Sequence, residues 1–243
     1  MREQRIYVDS PLNCEARLTL SLATSHYISK VLRMRSGQHL LLFNGHGGCY
    51  RAEILSISKR EVEVYLQEFR DENRESILHI TLAQAVSRTQ HMDYTLQKAV
   101  ELGVSKIVPV ITEFGNVRID SAGAEKKLGH WQKIIISACE QCGRNSLPDI
   151  SAPVSLEQWL AMDSNAVKLL LHPGASGRLT KVQILNASLS ILSGPEGGFS
   201  PTEVEQATAS NYVSIELGPR VLRTETAAIA AISACQTLWG DMG

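Results

Sequence analysis

The stretch Gly218-Pro219-Arg220-Val221-Leu222-Arg223-Thr224-Glu225-Thr226 sets two guanidinium groups and a carboxylate directly ahead of an Ala- and Ile-rich run. A guanidinium is permanently charged and donates as a planar fork, so Arg223 could hold an oxygen on which negative charge develops. Glu225 could take a proton, or it could pair with Arg223 and merely fix the loop. Arg220 could meet a phosphate or a facing subunit. A second stretch, LSGPEGGFSPTEVE from Leu192 to Glu205, leaves an apolar run through Ser193, Gly194, Pro195, Glu196, Gly197 and Gly198. It then starts a helix: serine cap, proline at the first helical position, glutamate three residues past the cap. A strand, a glycine turn and a helix N-terminus together suit a ligand that approaches the backbone closely. The pattern argues against nucleotide phosphates. Phe199 follows Gly198 where a P-loop needs Lys and Ser/Thr, the glycines do not fit G-x-G-x-x-G, and Glu196 would repel polyphosphate. A ligand that is neutral or cationic at this turn remains. A third stretch, Leu169-Leu170-Leu171-His172-Pro173-Gly174, also ends an apolar run. In open α/β sheets ligands sit beyond the C-terminal ends of strands, so the three stretches could share one pocket.

Such a sheet is legible from residue 77 onward. Ile77–Val86 reads as a strand, Met92–Leu102 as a helix stopped by Gly103, and Lys106–Thr112 as a second strand. A long helix is expected over about Ala124–Cys142, ended by Gly143. Further strands are expected at Val167–Leu171, Leu189–Leu192 and Val213–Leu217, with helices after the last two. Strands alternating with helices predict a mostly parallel α/β sheet. The final helix, Ala227–Leu238, is apolar on nearly every face and should be buried all round, at a subunit interface or under a crowded loop. The first seventy residues differ. His39–Phe43, a turn at 44–48, Cys49–Ile57 and the alternating Glu61–Leu66 read as short strands of a small barrel or sandwich. The charged stretch Arg70–Ser76 lacks apolar anchors and reads as the linker.

Composition narrows the classes. The 243 residues suffice for one large domain or two modest ones. No apolar run is long enough to span a membrane and the N-terminus lacks the apolar core of a signal peptide, so a cytoplasmic protein is expected. Five scattered cysteines suit reduced thiols. The net charge of −1 hides an asymmetry: residues 1–60 carry nine Lys/Arg against four Asp/Glu, and the remainder fifteen against twenty-one. The basic end, with Lys30, Arg33 and Arg35 close together, is a candidate for meeting phosphates. Cys139-x-x-Cys142 stands at the end of a helix, where the dipole does not activate a thiol, and no second pair exists for zinc. His91 and His172 read as structural.

In this order and spacing, "LLLHP", "LSGPEGGFSPTEVE" and "LGPRVLRTETAAIAA" look like the three cofactor loops of the SPOUT methyltransferases. More narrowly they resemble the RsmE family, the 16S ribosomal RNA uridine-N3 methyltransferases. "MDYTLQKAVELGVSKIVPV" (Met92–Val110) and "SACEQCGRN" (Ser137–Asn145) agree, and "HYISKVLRMRSGQ" (His26–Gln38) is similar to that family's PUA-like RNA-binding domain. The resemblance covers nearly the whole chain. It implies a PUA-like β-barrel over residues 1–72, a SPOUT α/β domain with a C-terminal trefoil knot over 73–243, and a homodimer. S-adenosylmethionine (AdoMet) is the implied cofactor, no metal is implied, and 16S ribosomal RNA of the small subunit is the implied partner. Carried over by residue, the cofactor would meet Leu171, His172, Pro173, Ser193, Gly194, Pro195, Glu196, Gly197, Gly198, Leu217, Gly218, Leu222, Thr224 and Thr226. The RNA would meet Lys30, Arg33, Arg35 and Arg220, and Arg223, Glu225 and Arg144 would serve the chemistry. Family members often have lysine near His91, so no RNA contact is carried over there.

The residues suit this ligand. AdoMet bears a sulfonium cation and no phosphate, so Glu196 is tolerable, and glycines permit backbone groups to read an adenine. Methylation of a different base or of a ribose 2′-oxygen stays open, as does a non-catalytic ribosome-assembly factor, although three retained cofactor loops argue against the last.

Overall fold

Residues 3–115, 121–165, 167–184 and 186–243 are described by the structure, a computed structural model. They form two compact units. The first comprises Met1–Glu75 and also Cys139–Leu147; the second comprises Ser76–Ala138 and Pro148–Gly243.

The first unit is a five-stranded sheet of β1 (Gln4–Tyr7), β2 (Arg17–Thr19), β3 (His39–Phe43), β4 (Cys49–Ile57) and β5 (Val62–Arg70), in the order β1-β3-β4-β5-β2. Only β1–β3 pairs in parallel. Alternate residues (Leu40, Leu42, Ala52, Ile54, Val62, Val64) face one core with Ile6 and Ile28, as the period of two requires. β3 and β4 have the expected bounds. β5 runs on into the expected linker as far as Arg70, whose guanidinium shares the Glu3 carboxylate with Arg51 at 3.2 and 3.0 Å. Helix α1 (Leu22–His26) continues as a π-helical turn, Tyr27–Val31, and Arg33 follows at φ 53°. Segment 139–147 joins this unit through polar groups. Tyr7 N donates to Glu140 Oε1 at 3.0 Å, Arg5 donates to Asn145, and Asn145 Nδ2 donates to the Glu72 carbonyl at 2.8 Å. None of this leaves an apolar period in the sequence.

The second unit is built on β6 (His79–Ala85), β7 (Lys106–Ile111), β8 (Asp149–Ile150), β9 (Val154–Ser155), β10 (Val167–Leu171), β11 (Ser188–Ser193) and β12 (Val213–Ile215). Every pairing is parallel; the order is β12-β10-β11-β6-β7-β8, and β9 also pairs with β7. Helices α2 (Thr89–Glu101), α3 (Ser121–Cys142), α4 (Leu156–Met162), α5 (Pro201–Ala209) and α6 (Thr224–Trp239) connect or follow the strands. β8, β9 and α4 were not expected, because two-residue strands offer no alternation to read.

Two segments of this unit, 172–177 and 214–216, approach closely. His172 N donates to the Ile215 carbonyl, and the Gly177 carbonyl accepts from Glu216 N, both at 3.1 Å. A Cβ on Gly177 would lie 2.2 Å from the Ser214 carbonyl oxygen, so only glycine fits here. Helix α6 buries Ala228, Ala231, Ile232 and Cys235, whereas Ile229, Ala230 and Ala234 are half-buried and Leu238 is 46% exposed. Burial all round was expected; within one chain α6 is covered on one side.

Candidate active site

The three expected loops converge. β10, β11 and β12 run parallel, so the turns that leave them emerge at one edge, and α6 begins there too. Together they line a cavity of about 690 Å³. From the first loop come Leu171, His172 and Pro173. The second supplies Ser193, Gly194, Pro195, Glu196, Gly197 and Gly198, and the third Leu217, Gly218, Arg220, Leu222, Arg223, Thr224 and Glu225. Thr226 is exposed and outside the lining, and Arg144 is not part of it either. Arg144 belongs to the first unit, is buried, and donates from Nε to both oxygens of Glu75 at 3.1 and 3.0 Å. Lys30, Arg33 and Arg35 are exposed residues of the first unit.

Local chemistry fixes the second loop. Ser200 caps α5 with a full capping box: its Oγ accepts from Glu203 N, and Glu203 Oε2 accepts from Ser200 N. The other oxygen of Glu203 accepts from Glu113 N at 2.8 Å, tying the end of β7 to the same cap. Two of the turn's glycines also stand against the protein's own side chains. A Cβ on Gly194 would lie 3.0 Å from the Phe199 ring and one on Gly197 3.0 Å from Phe114 Cβ, so both make room for the protein's own aromatics. Gly198, at φ 73° with nothing within 4 Å of a notional Cβ, leaves open space. Glu196 is exposed, and its Oε1 accepts from Arg88 N at 3.3 Å. The third loop is fastened by Thr224, which accepts from Gln84 Nε2 at 3.1 Å and donates to the Gly194 carbonyl.

Sequence reasoning missed Phe199, Ile215, Glu216, Ala227 and above all His91, which lies in the lining 3.1 Å (Nδ1) from Glu225 Oε2. The rule that pointed to three strand ends also covers β6, which ends at Ala85, a few residues before His91.

The lining suits the implied cofactor. Among the described residues the buried Ser193 hydroxyl has no hydrogen-bond partner, and buried polar groups normally have one. Glu196, Glu216 and Glu225 offer carboxylates to a cation. Among the described residues no three His, Cys, Asp or Glu side chains gather as a metal site would need. Cys139 is buried, its thiol pushed up to about 12 by desolvation.

Known proteins carry the same organisation. A family model described as an RNA methyltransferase domain matches residues 74–236, and one described as an RNA methyltransferase PUA domain matches 23–66. Ribosomal RNA small subunit methyltransferase E of Buchnera aphidicola is 38% identical over 99% of this chain and 98% of its own. The Bacillus subtilis protein of that name is 32% identical over 86% and 85%. Among solved structures, ribosomal RNA small subunit methyltransferase E of Neisseria gonorrhoeae bound to S-adenosyl methionine superposes with a TM-score of 0.95 at 37% identity, covering both chains completely. A Legionella pneumophila protein in complex with the bound cofactor SAM superposes with a TM-score of 0.96 at 41% identity, over 99% and 100%. The chain belongs to the ribosomal RNA small subunit methyltransferase E family of RNA methyltransferases.

Proposed function

We propose that the protein transfers a methyl group from AdoMet to N3 of a uridine in 16S ribosomal RNA. The observation that carries this reading is the convergence of three strand-end loops on one cavity that holds carboxylates, an unpartnered buried hydroxyl and two guanidinium groups at its edge. Leu171–Pro173, Ser193–Gly198 and Leu217–Leu222 would hold the cofactor, which supplies an electrophilic methyl group when bound. Arg223 is exposed in the lining at the N-cap of α6, where its fork would meet a uracil oxygen on which charge develops. Glu225 serves the proton side of the chemistry. Holding the reactants in line supplies much of the acceleration.

The remaining features follow from the same reading. Lys30, Arg33 and Arg35 would meet RNA phosphates from a PUA-like barrel. The half-covered side of α6 would meet a second copy of the chain. The close approach at Gly177, together with the insertion of β10 between β11 and β12, supports a trefoil knot. The setting is the cytoplasm, where ribosomes assemble; among the described residues no helix is long and apolar enough to cross a membrane. Two measurements test the function. Calorimetry should show AdoMet binding that survives a chelator, and loss in chelator or preference for NAD would refute the cofactor assignment. Nucleoside mapping of 16S ribosomal RNA from a deletion strain should show one N3-methyluridine missing; an unchanged map would refute the substrate.

A further inference from the structure

His91 and Glu225 come from the first turns of two different helices, α2 and α6, and meet at the cavity. His91 Nδ1 stands 3.1 Å from Glu225 Oε2, and both side chains line the space in which the methyl transfer is placed. Glu225 Oε2 is buried and makes no hydrogen bond among the described residues, so the His91 ring at 3.1 Å is an ion-pair neighbour and not yet a hydrogen-bond donor to it. A buried carboxylate oxygen with a single neighbour is costly unless that neighbour serves it. The imidazole is that neighbour. A small turn of the ring would aim an Nδ1–H at this oxygen; the bare Nε2 would then face the opposite side, and the partner would fix which nitrogen carries the proton. This is the nucleophile–base–orienter logic without the nucleophile: here the substrate nitrogen must lose a proton.

The remaining charged groups around the ring do not compete for it. Asp93, on the same helix, is taken by His130 Nε2 at 2.9 Å. Glu196 Oε1 accepts from Arg88 N at 3.3 Å, and Glu196 forms no ion pair with the ring among the described residues. His172, Glu216, Arg220 and Arg223 line the same cavity, and among the described residues none of them forms a hydrogen bond or ion pair with the ring.

We propose that His91 is the base that removes the uridine N3 proton, with Glu225 as the residue that orients it and balances the charge it acquires. This rests on the reading of uridine N3 as the acceptor. As the N3–H bond breaks, its proton passes to His91 Nε2. The electron pair left on N3 forms the bond to the methyl carbon, and the pair of the breaking carbon–sulfur bond stays on sulfur, which becomes a neutral thioether. The imidazolium, held against the Glu225 carboxylate, then returns its proton to water.

A first test needs no turnover. Long-range proton–nitrogen spectra of the histidine rings in the wild-type protein, assigned with His91→Gln, should show His91 as the Nδ1–H tautomer, and Glu225→Gln should disturb that preference. An Nε2–H tautomer would overturn the proposal. The second test is single-turnover methylation at saturating AdoMet and RNA across pH. The wild-type rate should rise with pH and then level off. His91→Gln should be slower by roughly 10²–10⁴-fold near neutrality and should climb steadily with pH, recovering as the imide ionises unaided. Its AdoMet affinity should be close to wild type. A profile parallel to that of wild type would overturn the proposal even if the variant is slower. Product analysis separates the two layers: a methylated nucleoside other than N3-methyluridine refutes the functional reading itself, whereas N3-methyluridine with an unaltered profile refutes only the role of His91.

Discussion

Arg223 stands at the N-cap of α6, exposed in the cavity lining, between the apolar pair Val221-Leu222 and the buried Thr224. If it stabilises charge that develops on the uracil ring, Arg223→Ala should lower the turnover rate roughly a hundredfold or more, the scale of one missing preorganised donor. AdoMet affinity should fall far less, and Arg223→Lys should restore little because a point charge does not reproduce the fork. Single-turnover rates at saturating RNA decide the matter, since a wild-type rate there would make Arg223 a docking residue. At this scale residue types were legible where a motif concentrates them. The three loops could be read from glycines, prolines and the cap at Ser200. Partners were not legible. Nothing in the spacing of His91 and Glu225 announces that two helix starts bring them together. Nor could the sequence say that Gly194 and Gly197 stand against Phe199 and Phe114.

Helix α6 does two things along its length. Its first turn closes the cavity through Thr224, which links Gln84 on β6 to the Gly194 carbonyl beyond β11. Farther along, Gln236 donates to the Leu102 carbonyl at 2.8 Å and accepts from Ser76 at 2.7 Å. Thr224→Val keeps the shape but strands the Gly194 carbonyl, a cost of about 1–3 kcal/mol. It should lower the melting temperature and weaken AdoMet binding in calorimetry. Thr226→Val, on an exposed residue outside the lining, should change neither; an AdoMet defect there would return Thr226 to the cofactor site. Long elements were legible because their periods repeat. The short strands β1, β2, β8 and β9 were not. Their existence is decided by what they pair with, as β1 is by β3.

For the molecule as a whole, charge and titration make two predictions. Neutralising Lys30, Arg33 and Arg35 together should weaken RNA binding and flatten its salt dependence, by about one unit of slope for each phosphate that no longer meets a cation. AdoMet affinity should be unchanged; an unaltered slope would remove these residues from the interface. Cys235 and Cys139 are buried thiols pushed up to about 12 from an ordinary 9.0. Above pH 9 the unfolded chain releases these protons while the folded chain retains them, so stability should fall with rising pH. The slope approaches about 1.4 kcal/mol per pH unit for each thiol. Denaturant titrations at pH 8 and pH 10 would show the decline, and Cys235→Ala should reduce it. The division into units carries a consequence for synthesis. The first unit includes Cys139–Leu147, which supplies partners for Arg5, Tyr7 and the Glu72 carbonyl. On a ribosome translating from the N-terminus, the strands through Arg70 emerge early but cannot complete their unit until α3 has also been made. A nascent chain arrested before residue 139 should therefore be cleaved within the first unit by a protease that spares the finished protein.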